Sequence, residues 1–144
     1  MRISIKSITV GALADIVLSG VLGIPLVIYA IRGTSPLPRD QIGPAITHAI
    51  HMNPWLHSLQ LTIGVGCSVF GGYIAARLTK SDPILNGVLA SWLCVAIGLF
   101  SLISGKAAET STTAHVALIA VTPLAYWVGA YICAASRNGN LARV

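Results

Sequence analysis

One carboxylate and four imidazoles are the residues of this chain best equipped for chemistry. Asp15 is the sole charge between residues 7 and 31. An acid deep in an apolar segment costs about 2.5–3.5 kcal/mol on insertion scales, so it must face protein, take up a proton or find a cation. Arg77 is long enough to snorkel toward it. A buried Asp15–Arg77 ion pair locking the first and second spans together is the leading expectation. The same carboxylate could bind a proton or cation during transport, although no second buried acid and no intramembrane lysine extends it into a relay.

His48, His51 and His57 lie in and just after the first polar segment, and His115 opens the last apolar run. The three-residue step from His48 to His51 is nearly one helical turn, a spacing that can hold a metal ion. His57 and His115 could instead approach each other as axial haem ligands. No CxxCH attaches a haem, and histidine also serves at membrane interfaces. The expectation is no cofactor, with a metal ion or haem as the alternative. No nucleophile–base arrangement, phosphate loop or paired carboxylates can be assembled from the remaining residues, so no enzyme is expected.

These groups are set in four long apolar stretches. Residues 55–76, 83–105 and 110–136 contain no Asp, Glu, Lys or Arg. About 20 apolar residues let a helix cross a hydrocarbon core of roughly 30 Å. Charged residues make up 9% of the chain and the mean hydropathy is +0.80, against about 25% charged in soluble domains. The chain therefore reads as an all-α, polytopic membrane protein, a four-helix bundle filling residues 1–144, with the lipid bilayer as its first partner. Its net charge of +5 comes from scattered single residues without interleaved aromatics, which argues against nucleic acid.

The spans are expected at about 8–31, 54–77, 83–104 and 114–136, with a short amphipathic helix over 40–52. That helix places Ile42, Ala45, Ile46, Ala49 and Ile50 on one side; the simplest site for it is the interface, apolar side down. Asn53-Pro54 and Asp82-Pro83 are cap-plus-proline starts, and Pro25 and Pro123 should bend their helices. Six basic residues fall on the side of the termini (Arg2, Lys6, Arg77, Lys80, Arg137, Arg143) and three on the other. The positive-inside rule then puts both termini in the cytoplasm.

Helices 2 and 4 share a pattern at an offset of 58 residues: His57, Gly71, Tyr73, Ile74 and Ala76 align with His115, Gly129, Tyr131, Ile132 and Ala134. This suggests two tandem helical hairpins. Small residues recur at four-residue intervals in helix 2 (Gly64, Ser68, Gly72, Ala76), flanked by Gly71 and Ala75; Ser19, Gly23 and Gly129 extend the pattern to other helices. Faces stripped of bulk let helix backbones approach, within one bundle or toward a partner chain. Cys67, Cys94 and Cys133 are expected to pack as small hydrophobes. Trp55 and Tyr29 should sit at the outer interface, with Tyr126, Trp127 and Tyr131 deeper.

The run Phe70 to Leu78, FGGYIAARL, followed by a tight polar turn and a new apolar helix, resembles a pattern in uncharacterised small four-helix inner-membrane proteins of bacteria. The resemblance covers about a third of the chain. It implies a bacterial inner-membrane location and lends no activity or functional residue. The expected role is non-catalytic: a packing or accessory subunit that engages itself or a larger membrane complex. A small transporter or channel using Asp15 and a haem- or metal-binding protein using the histidines are the rivals.

Overall fold

The computed structural model describes residues 3–32, 38–104 and 112–141, with the backbone alone described at 39–40, 101–102, 112–115, 118 and 138–141. It is all-helical: α1 spans Ile5–Ile31, α2 Arg39–Met52, α3 Pro54–Leu78, α4 Pro83–Ile103 and α5 Thr112–Leu141. Helices α1, α3, α4 and α5 are each long and apolar enough to cross a membrane. Large apolar side chains such as Val17, Trp92, Phe100 and Leu124 cover the outside, as a bundle solvated by lipid tails requires.

Local chemistry sets several boundaries. Ser4 accepts from the Ser7 amide at the start of α1. Asn53 Oδ1 accepts from the amides of Trp55 and Leu56, satisfying two donors that the first turn of α3 leaves without partners. Asp82 adopts φ 47° between α3 and α4, a left-handed conformation that Asp tolerates better than most residues, and its carbonyl accepts from the Asn86 amide. The α1 and α5 helices continue through Pro25 and Pro123.

In cross-section, α1 and α5 each pack against both α3 and α4. The latter two touch across the short diagonal, and α1 and α5 stand apart at opposite corners. The first end of α1, the last turn of α3, the first turn of α4 and the last of α5 share one end of the bundle, the terminal end. The α2 helix lies at the other end against α1 and α3. Ile50, Leu26 and Leu56 form a buried cluster there, joined by Ile46 and Ala30. The apolar side of α2 thus rests on the helix ends.

The terminal half is closed by direct backbone contact. A Cβ on Gly11 would lie 2.6 Å from Ala75 Cβ and 2.7 Å from the Gly71 carbonyl oxygen. One on Gly72 would overlap the Tyr126 backbone, one on Gly129 the Val69 carbonyl, and one on Gly87 the Ala130 side chain. Lipid tails are as apolar as leucine, so such contact, not burial from water, holds the helices together. The end itself is pinned by polar groups. Buried Asn86 accepts from the Ser4 amide at 2.7 Å and donates to the carbonyls of Ser81 and Asp82 at 3.0 Å each. Arg137 donates to the carbonyls of Arg77 (2.7 Å) and Thr79 (3.1 Å), placing a cation where the α3 dipole ends.

Candidate functional site

Asp15 is buried at the level where the four spans meet. Groups from all four spans close around it. Ser19, one turn further along α1, donates to Oδ1 at 3.1 Å. Ser68 from α3 donates to Oδ2 at 3.0 Å, and the Tyr126 hydroxyl from α5 donates to Oδ2 at 2.8 Å. The Cys94 thiol of α4 stands 3.6 Å from the same oxygen and 3.4 Å from the Tyr126 hydroxyl. The Tyr126–Asp15 bond joins α5 to α1, two helices whose backbones stand apart among the described residues. Gly71 admits this arrangement: a Cβ there would come within 3.0 Å of both Asp15 Cβ and the Tyr126 hydroxyl.

The ion pair expected between Asp15 and Arg77 is not formed. Arg77 is exposed, donates to the Tyr73 hydroxyl at 2.9 Å and lies 5.9 Å from that ring's centre. The reason is axial distance. Asp15 is level with Ser68, and from Ser68 to Arg77 α3 rises roughly 13 Å at about 1.5 Å per residue, beyond the reach of an arginine. Among the described residues the Asp15 carboxylate accepts only from hydroxyls and a thiol, and no cation pairs with it.

A cavity of about 820 Å³ opens beyond the carboxylate toward the α2 end. Asp15, Ser19, Ser68 and Cys94 line its deep part, and His51, His57 and Thr47 line the part near α2. From His57 to Ser68 the wall rises roughly 16 Å at about 1.5 Å per residue, near half of a hydrocarbon core of roughly 30 Å. Leu26, Ile97 and Val121 help make most of its surface apolar, and Gln60 and Thr122 add to the polar groups just named.

The small-residue pattern divides at the same level. Ser68, Gly71, Gly72, Ala75, Ala76 and Gly129 are buried in helix contacts. Gly64 and Gly23 are not: a Cβ at either would meet nothing within 4 Å, and both line the cavity. Expected as packing positions, they instead keep the space open. Ser19 and Ser68 add a donor role to their small size.

Of the three histidines whose side chains are described, two come together, and not the two that spacing suggested. The rings of His51 and His57 have centres 5.0 Å apart, whereas His48 is exposed on α2. The His115 backbone belongs to α5, but its side chain lies outside the described residues. Tyr126 and Cys94 went unrecognised in sequence. Tyr126 reads as one of three aromatics in its helix and Cys94 as a packing thiol; only their convergence on Asp15 marks them.

Comparisons with protein-family models, with curated proteins and with solved structures give no match.

Proposed function

We propose that this membrane protein takes an amphipathic organic cation into the α2-end cavity, with Asp15 as the charge-recognising group, in the manner of a small transporter. The observation that carries the reading is a largely apolar cavity ending on a carboxylate that no cation among the described residues pairs with. Apolar walls favour the hydrocarbon part of such a solute. The carboxylate, held by three hydroxyl donors, offers the opposite charge near mid-membrane, the level at which secondary transporters hold their substrates. A proton on Asp15 is the natural competitor, because both offset the same charge. Nothing in this reading requires covalent chemistry or a cofactor.

The asymmetry of six basic residues against three supports cytoplasmic termini, and the FGGYIAARL resemblance supports a bacterial inner membrane. The cavity then faces the outside. Purified protein in detergent should bind tetraphenylphosphonium, a permanent apolar cation, in equilibrium dialysis. Asp15→Asn should abolish that binding while the protein keeps its elution profile. Equal binding by wild type and Asp15→Asn would end the proposal.

A second reading, an oligomerising or accessory subunit, is favoured by Ser58, Thr62 and Gly66. These recur every four residues on an exposed face of α3, and both hydroxyls bond back to the carbonyl four residues earlier. That leaves a smooth small-xxx-small surface outside the bundle. Gly66→Leu shifting a cross-linked dimer to monomer would support it.

A further inference from the structure

We propose that His51 and His57 form a divalent transition-metal site where α2 meets α3 at the mouth of the cavity. Both side chains line that cavity, one from each side of the Asn53 turn. Three observations converge on this pair. First, the ring separation fits. With a metal at about 2.0–2.1 Å from an imidazole nitrogen and the nitrogen about 1.1 Å from its ring centre, two rings on neighbouring tetrahedral positions have centres about 5.2 Å apart. The observed distance is 5.0 Å.

Second, the His51 Nδ1 lies 2.8 Å from the Thr47 carbonyl oxygen. A carbonyl only accepts, so Nδ1 carries the hydrogen, and in the neutral ring Nε2 then presents its lone pair. Metal-binding histidines are oriented by this kind of outer hydrogen bond. Third, His57 Nδ1 is buried with no hydrogen-bond partner, and a polar atom buried that way is costly unless something binds it.

Among the described residues no group of three or more His, Cys, Asp and Glu side chains gathers, so these residues supply two ligands and water completes the shell. Imidazole pairs suit zinc, copper and nickel. An ion held between the last turn of α2 and the first turn of α3 pins α2 over the helix ends, and so sets how freely the cavity mouth opens.

Zinc calorimetry and copper EPR on the purified full-length protein at neutral pH test this. One ion per chain is expected, with nitrogen hyperfine structure from two imidazoles. His51→Ala and His57→Ala should each weaken zinc about tenfold or more, the scale on which perturbing a metal's shell acts. His48→Ala and Asp15→Asn should bind as wild type. The Asp15→Asn arm separates this site from the cation reading: each can fail while the other stands. Absence of zinc binding by wild type overturns the site. So does undiminished binding in a His51→Ala/His57→Ala double variant that elutes as a folded protein, or dependence on His115 alone.

Discussion

The two halves of this bundle use the same residues to opposite ends. Below Asp15, toward the termini, glycine brings helix backbones into contact: Gly72 against Tyr126, Gly129 against Val69, Gly11 against Ala75. Above it, Gly64 and Gly23 face space. Small residues at four-residue spacing do not by themselves specify close packing. They remove bulk, and what fills the gap depends on whether another backbone is there. Here the helices meet at the terminal end and part toward α2, with the carboxylate at the transition.

The sharpest test of that contrast replaces one glycine from each half by leucine. Gly129→Leu should abolish folded protein in detergent, because overpacking commonly costs about 1–3 kcal/mol and more when backbone must move, and here the obstacle is the Val69 carbonyl. Gly64→Leu should leave the melting temperature near wild type and fill part of the cavity. Thermal melts followed by size-exclusion fluorescence read both. Similar losses in the two variants would erase the distinction between the halves.

At the boundary, Asp15→Ala should be the next most damaging change. Removing the acceptor strands the hydroxyls of Ser19, Ser68 and Tyr126, at about 1–3 kcal/mol for a buried polar group left without a partner. Water entering the adjoining cavity offsets part of this. Asp15→Asn keeps an acceptor oxygen and should lose less stability while losing cation binding. Tyr126→Phe removes one donor to the carboxylate, a loss of about 1.5–3 kcal/mol if Asp15 is charged. It also cuts a hydrogen bond that bridges α1 and α5, whose backbones stand apart among the described residues. A melt unchanged in Tyr126→Phe would show that the bridge adds nothing to stability.

The four spans were legible because each is a charge-poor run of sufficient length, and α2 because its apolar residues recur at helical spacing. The Asn53 cap was legible because Asn-Pro is a local signal, decided within four residues. Partnership of Asp15 was not. A charge pattern identifies a residue that needs a partner, but the partner is fixed by height in the membrane, and the relative heights of α1 and α3 emerge only from how Gly11, Gly71 and Ala75 nest. That nesting puts Ser68 beside Asp15 and leaves Arg77 two turns and more away. The histidines were no more legible: spacing within α2 favoured His48 with His51, whereas the break between α2 and α3 at Asn53 sets His57 beside His51.

The mildest perturbation sharpens the comparison without altering stability. The thiols differ by level: Cys133 is buried in the terminal half and Cys67 is buried next to Ser68 at the level of Asp15, whereas Cys94 is half-buried and lines the cavity beside Asp15. A small, membrane-impermeant methanethiosulfonate reagent added from the α2 side should modify Cys94 and spare the other two, provided the cavity is open to water. Gly64→Leu, placed in the wall between the mouth and the carboxylate, should slow that reaction. Tetraphenylphosphonium should slow it in wild type but not in Asp15→Asn, because a solute seated on the carboxylate covers the thiol. Mass spectrometry of the intact chain and its peptides reads all of these at once. If Cys133 reacted as fast as Cys94, the terminal half would not be sealed; if none reacted, the cavity would be filled by lipid and closed to a solute arriving from water.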